Sequence, residues 1–165
     1  MSALQAPDVG RRALLQGRPR PRPAPPRPPQ ALPEPAFLER CTRCDDCLSA
    51  CPEAVLVRGD GGYPVFDPSL GECTFCDACT TACDAGALDA DAARPWDWVA
   101  VVGGGCLTVA GVVCQSCRDV CPVPAIAFPP ARVPRPQVEA AACTGCGACV
   151  AACPTASINL VGEAS

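Results

Sequence analysis

Sixteen cysteines in four groups of four constrain this 165-residue chain more than any other feature. Three groups share the spacing C-x2-C-x2-C-x3-C, and the other keeps the last two spacings but places seven residues between its first two cysteines. A repeat of this density indicates that cysteine chemistry organises the fold. The groups are Cys41, Cys44, Cys47, Cys51; Cys73, Cys76, Cys79, Cys83; Cys106, Cys114, Cys117, Cys121; and Cys143, Cys146, Cys149, Cys153.

The rest of the composition leaves few other ways to hold the chain together. Aromatic residues make up only 4% of the sequence, so bulky side-chain packing is limited. Small cores of this kind are usually reinforced by disulfides or metals. Histidine is absent, which excludes zinc and haem sites that use histidine, Rieske centres and histidine-based catalytic triads.

Four interpretations of the cysteines compete. Disulfide scaffolds are typical of secreted chains, structural zinc prefers two separated C-x2-C pairs per site, and [2Fe-2S] centres use other spacings. The run C-x2-C-x2-C-x3-C is the cysteine pattern of bacterial two-cluster ferredoxins, in which four thiolates hold each cubane. The repeat therefore favours four [4Fe-4S] clusters over the alternatives, with all 16 cysteines as ligands.

In two-cluster ferredoxins the fourth cysteine of each run ligates the other cluster. The same exchange here predicts four ligand sets, of which the third is the least regular because of its long first spacing. The sets are Cys41, Cys44, Cys47, Cys83; Cys51, Cys73, Cys76, Cys79; Cys106, Cys114, Cys117, Cys153; and Cys121, Cys143, Cys146, Cys149.

We expect an α+β fold of two bacterial two-cluster [4Fe-4S] ferredoxin-like units, at 37–92 and 93–165. Each unit should have short helical turns before its fourth cysteines and small antiparallel sheets. The predicted strands are 54–57, 63–66, 86–89, 98–102, 125–128, 135–138 and 157–161.

Residues 1–36 form an Arg/Pro-rich arm that we expect to be disordered. The first 40 residues hold ten of the 21 prolines, and seven arginines against three acidic residues. Proline lacks the N–H that helices and central strands require. The rest of the chain carries six arginines against 14 acidic residues, and this balance does not suggest nucleic-acid binding.

The segment 11–15 (RRALL) resembles the start of a twin-arginine export signal. Residues 16–20 interrupt its apolar part at once, so we expect the protein to stay in the cytoplasm. The longest uncharged apolar run, 98–113, is broken by glycines and falls short of the roughly 20 residues that a bilayer needs. We expect no membrane span.

Aspartates lie in the first two cysteine loops, at Asp45, Asp46 and Asp77, where the fourth loop has Gly147. Two interpretations stay open. Their charge should lower the reduction potential of a nearby cluster, or they cap the helices that follow.

The order of these features resembles the NapF family of bacterial ferredoxin-type proteins, which accompany the periplasmic nitrate reductase. The uneven third group with 114–119 (CQSCRD) makes the resemblance specific, beside 11–15 (RRALL), 40–44 (RCTRC), 48–52 (LSACP), 71–76 (GECTFC) and 143–149 (CTGCGAC). The resemblance implies a soluble cytoplasmic protein that binds the catalytic subunit of nitrate reductase before its export and assists its maturation. The alternative is a multi-cluster electron carrier without an assembly role. We expect no enzymatic activity, because neither substrate-binding motifs nor a catalytic histidine occur in the sequence.

Overall fold

The structure, a computed structural model, describes residues 25–91 and 96–162. The 11–15 motif and the predicted disorder of residues 1–24 lie outside the described residues, as does the predicted boundary between the units at 92–93. Within the described ranges the chain forms two α+β halves, each of which carries two cysteine loops, short helices and small antiparallel sheets. This mixed architecture agrees with the predicted fold class.

The first half is built on one β-hairpin. Strand β1 pairs with β2 so that Leu56 lies opposite Phe66, and both side chains are buried. The elements are α1 (Glu34–Arg40), α2 (Asp46–Ala50), β1 (Leu56–Arg58), a 3-10 turn (Asp60–Gly62), β2 (Pro64–Phe66) and α3 (Ala78–Thr81).

The second half contains two antiparallel strand pairs. Strand β3 pairs with β6, from Trp98 opposite Gly162 to Val102 opposite Ile158, and β4 pairs with β5. The elements are β3 (Trp98–Val102), α4 (Ser116–Asp119), β4 (Ile126–Ala127), β5 (Gln137–Val138), α5 (Ala148–Ala151) and β6 (Ile158–Gly162).

The four helical turns predicted before the fourth cysteines are confirmed as α2, α3, α4 and α5. Each has only four or five residues, which is too short for a helix to be stable by itself in water. Packing must therefore hold them, and α2 contacts α3 while α4 contacts α5. These pairings place the cysteine runs of each half side by side.

Cysteines form part of the core in both halves. The first core contains Phe37, Val55, Leu56, Phe66, Cys79, Ala87 and Leu88, and the second contains Ala100, Cys117, Ile126, Cys149 and Ile158. Few of these residues are large, so apolar packing around the buried cysteines is limited.

The expectation that the arm is disordered is wrong for residues 25–36. Pro28 is less than 2% exposed, and the Pro26 carbonyl accepts a hydrogen bond from the Phe66 N–H at 2.7 Å. The helix α1 begins at Glu34, with Pro35 in its first turn, where a missing N–H breaks no helical hydrogen bond. Proline removes a donor but keeps its carbonyl and its apolar ring, so a proline-rich segment can still pack against a folded surface.

None of the helices in the two described ranges reaches the length and apolarity that crossing a bilayer would require.

Candidate metal centres

Four cavities in the structure are each lined by four cysteines. Site I is lined by Cys41, Cys44, Cys47 and Cys83; site II by Cys51, Cys73, Cys76 and Cys79; site III by Cys106, Cys114, Cys117 and Cys153; and site IV by Cys121, Cys143, Cys146 and Cys149. The structure thus brings together the cysteine sets that the exchange of fourth residues predicts.

The cysteine side chains distinguish a disulfide scaffold from a metal-binding one. All 16 cysteines lie within the described ranges, and all are free of disulfide bonds there. No group of three or more Cys, Asp or Glu side chains in the described residues is arranged to hold a single metal ion. A cubane separates its four thiolates more widely, because each binds a different iron. Four free thiols around each cavity are the donor set that a cubane requires.

The backbone of the cysteine loops also suits an anionic occupant. Alternating left-handed residues turn successive N–H groups into one concavity, a geometry found at many iron-sulfur sites. Sites I, II and IV share this alternation, at Arg43 and Asp45 (φ 61° and 68°), Phe75 and Asp77 (53° and 59°), and Gly145 and Gly147 (73° and 89°).

The loop of site III departs from this pattern. Between Cys106 and Cys117 only Gly111 has a positive φ, at 84°. The longer spacer, with seven residues in place of two, therefore changes the backbone as well as the spacing. Site III keeps the four cysteines but not the shared loop geometry.

Burial raises the pKa of several cysteine thiols, and repulsion from neighbouring cysteines adds to the effect. These thiols therefore stay protonated near neutral pH when no metal is present. Burial, followed by the neighbouring cysteines, raises the pKa of Cys47 to about 11 and that of Cys149 to about 12. Burial likewise raises the pKa of Cys73 to about 12, against a backbone hydrogen bond that lowers it. A metal must displace these protons, so binding is coupled to proton release.

Cys153 in site III is the exception. Burial raises its pKa, but several hydrogen bonds outweigh that effect and leave the pKa below its usual value. One of them is donated by the Ser157 N–H to the Cys153 sulfur at 3.3 Å. This sulfur is therefore stabilised as a thiolate before any metal arrives.

The aspartates of the first two loops do not act as hydrogen-bonding helix caps. Asp45 and Asp77 occupy the positions before α2 and α3, but neither side chain makes a capping hydrogen bond in the described structure. Asp45 pairs with Arg58, and its other carboxylate oxygen is buried without a partner among the described residues. The effect of their charge on reduction potential stays a prediction.

Sequence reasoning missed a direct contact between the loops of sites II and IV. The Cys73 N–H donates a hydrogen bond to the Cys146 carbonyl at 2.7 Å. Beside it, the Trp96 indole N–H donates to the Thr144 carbonyl at 2.8 Å. The Trp96 ring also lies 4.8 Å from that of Phe66, measured between centroids. These contacts join the two halves.

Glycine is required where these loops meet. A Cβ on Gly147 would lie 2.9 Å from atoms of both Phe66 and Pro68, and the backbone there has a φ of +89°. In the sequence, the only sign of this contact is that the fourth loop has glycine where the first two loops have aspartate. That difference does not identify the residues that approach Gly147.

Comparisons with known proteins agree with this arrangement. Residues 40–88 match a family model described as a 4Fe-4S dicluster domain, and residues 112–157 match a second model of the same description. The chain is 41% identical over 154 residues to the ferredoxin-type protein NapF of Escherichia coli K12, an alignment that covers 92% of this chain and 94% of that protein. The chain belongs to the NapF family of ferredoxin-type proteins.

Further relatives are also named ferredoxin-type proteins. The NapF protein of Haemophilus influenzae is 44% identical over 136 residues, covering 81% of this chain and 77% of the relative. The methylamine utilization ferredoxin-type protein MauM of Paracoccus denitrificans is 40% identical over 147 residues, covering 77% and 66%. Two dicluster domains and 16 cysteines account for four [4Fe-4S] clusters in this NapF-family protein, which confirms the predicted cofactor.

Proposed function

We propose that the four cysteine sets lining sites I to IV are the cluster ligands, one set to each cluster. Four free thiols converge on each cavity, and the loops of sites I, II and IV present left-handed residues suited to an anionic occupant. Bound there, the clusters supply one-electron redox chemistry. The protein's residues hold them, shield them from water and set their electrostatic surroundings.

Metal analysis and cysteine mapping test this ligand assignment. Anaerobically prepared protein should contain about 16 iron and about 16 sulfide per chain, four of each for every cubane. Cys83→Ser should disturb site I although it lies in the second cysteine run, and Cys51→Ser should disturb site II. If each variant instead damages the site of its own run, the exchange of fourth cysteines is wrong.

We propose that the protein acts in the cytoplasm on the catalytic subunit of periplasmic nitrate reductase, before export, and assists its maturation without being an enzyme itself. The observation that carries this proposal is its membership of the NapF family over nine-tenths of its length. Beyond residue 40 the chain has 14 acidic residues against six arginines, which favours a basic patch on the partner. Binding should therefore weaken as salt screens the charges.

A deletion strain tests the maturation role. It should make normal amounts of the reductase polypeptide with reduced activity, which the wild-type gene restores and cysteine-ligand variants do not. Co-purification of the unexported subunit with the wild-type protein, and its loss with a ligand variant, would support direct binding.

The second candidate function is electron transfer through several clusters. The hydrogen bond from Cys73 to Cys146 favours it, because it places the cysteine loops of the two halves in contact. The MauM relatives carry a name from methylamine utilization, so relatives of this chain are not confined to nitrate reduction. If reductase purified from the deletion strain is fully active while electron delivery to it is slow, the carrier function replaces the maturation role.

A further inference from the structure

The proline-rich residues 26–32, called here the cover segment, pack along the first half and reach site II at Pro29. We propose that this segment is a fixed cover that shields site II from solvent, and that Arg27 is the positioning residue that holds it there. This inference rests on the cluster assignment proposed above.

Arg27 is held on several sides at once. Its guanidinium donates to the two carboxylate oxygens of Glu34 at 2.6 and 3.0 Å, and to the Pro64 carbonyl at 3.1 Å. It also lies 4.9 Å from the ring centroid of Phe37 and 5.4 Å from that of Tyr63. Only 11% of the side chain is exposed. A bidentate, partly buried pair of this kind fixes orientation as well as position.

Backbone hydrogen bonds fix the cover segment along its length. Near its start, the Pro26 carbonyl accepts from the Phe66 N–H in β2. Toward its end, the Gln30 carbonyl accepts a hydrogen bond from the Asp89 N–H at 2.7 Å. The Leu32 N–H donates a hydrogen bond to the Ala87 carbonyl at 3.1 Å. The segment therefore connects the hairpin to the closing residues of the first half.

The centre of the cover segment meets the cysteine cavity. Pro28 is buried, and Pro29 lines site II together with its four cysteines. The Gln30 side-chain oxygen accepts a hydrogen bond from the Thr80 hydroxyl at 2.6 Å, and Thr80 follows the site II residue Cys79 in the chain. Pro29 thus covers one side of site II, and Gln30 anchors the segment beside it.

The choice of proline has a chemical consequence. Hydrogen bonds to sulfur and exposure to solvent both set the reduction potential of a cluster, and the apolar shell controls solvent access. Pro29 has no N–H to donate, so it excludes water from the cavity without adding a hydrogen bond to sulfur. The cover segment therefore protects site II and favours a low reduction potential there.

The test uses the full-length, cluster-loaded protein with Arg27→Ala as the variant and Arg58→Ala as the control. Arg58 also belongs to an ion pair in the first half, but its side chain is 64% exposed. Both proteins are treated with an iron chelator under limited oxygen, and newly freed thiols are alkylated and located by mass spectrometry. For Arg27→Ala, alkylation of Cys51, Cys73, Cys76 and Cys79 should be several-fold faster than in wild type, while sites III and IV stay unchanged. Arg58→Ala, whose partner Asp45 lies in the site I loop, should leave the labelling of site II unchanged.

If Arg27→Ala and wild type were labelled equally, or if labelling were accelerated equally at all four sites, the proposal that this segment shields site II would be wrong. If Arg27→Ala does not fold, Pro29→Gly leaves the arginine contacts in place and should show the same selective labelling, together with a less negative potential for site II alone. Failure of the cluster assignment appears separately, as wild-type protein that does not reach about 16 iron per chain.

Discussion

The backbone N–H of Cys73 donates a hydrogen bond to the carbonyl oxygen of Cys146 at 2.7 Å. Within each half, the exchanged fourth cysteines already connect site I with site II and site III with site IV. This bond adds the contact between sites II and IV. The four cysteine sites therefore form one continuous series, in the order I, II, IV, III.

Gly147→Ala should damage the contact between the halves. The new Cβ would lie 2.9 Å from Phe66 and Pro68 atoms, at a φ of +89°. A strained backbone and overpacking each cost about 1 to 3 kcal/mol. We expect a lower midpoint in denaturant-induced unfolding and earlier loss of iron from site IV. Gly104→Ala is the matched control, because nothing lies within 4 Å of a Cβ there; equal effects of the two substitutions would contradict the prediction.

Cys79→Ala should remove the site II cluster and weaken site I, whose ligand Cys83 follows α3. Iron should fall from about 16 to about 12 per chain or lower, at four irons per cubane. Site III, the furthest in the series, should remain loaded. The measurement is iron content combined with alkylation of freed cysteines, and uniform loss from all four sites would show that the halves do not fold as separate units.

Cluster retention should fall as the pH is lowered. The pKa of Cys47 is raised to about 11 and those of Cys73 and Cys149 to about 12, so each of these thiols must lose a proton to bind iron near neutral pH. Each pH unit changes the free energy of one such deprotonation by about 1.4 kcal/mol. The chelator concentration that extracts half the iron should drop steeply between about pH 8 and about pH 6. A flat profile would contradict this coupling.

The metal-free chain should show the opposite dependence. A thiol whose pKa is raised by folding stabilises the folded state while it is protonated, below the ordinary value of 9.0. That contribution is lost as the pH rises toward 11 or 12, the raised values of Cys47 and Cys73. Any residual structure that circular dichroism detects in the metal-free protein should therefore melt above about pH 9, whereas the loaded protein should be unaffected there.

Site III should release its cluster before the other three sites. Its loop has a positive φ only at Gly111 between Cys106 and Cys117, so it lacks the alternating left-handed residues that turn N–H groups toward an anion. During slow extraction by a chelator, alkylation should appear first at Cys106, Cys114, Cys117 and Cys153. Simultaneous labelling of all 16 cysteines would show that the loop geometry does not control retention.

The cysteine runs predicted the four cysteine sets once the exchange of fourth cysteines was carried over from two-cluster ferredoxins. Strand β3 lies at the predicted residues 98–102, and the hairpin strands lie within two residues of their predicted bounds. Short strands next to regular cysteine runs leave the chain few alternatives.

Two features escaped prediction for different physical reasons. Residues 25–36 were expected to be disordered because proline removes donors, yet their carbonyls and rings pack against the first half, with Arg27 held by Glu34. The bond from Cys73 to Cys146 joins backbone atoms far apart in the sequence, so no side-chain pattern encodes it directly.

The exchange of fourth cysteines also fixes the order in which the sites can be completed as the chain is synthesised. Site II is complete once Cys79 has been added, because Cys51 precedes the rest of its set. Site I, although it begins at Cys41, must wait for Cys83. Site III begins at Cys106 but is completed by Cys153, after every cysteine of site IV. A nascent chain therefore holds three unsatisfied thiols at site I while residues 48–82 are added, and at site III while residues 118–152 are added, when loading machinery or oxidants can reach them.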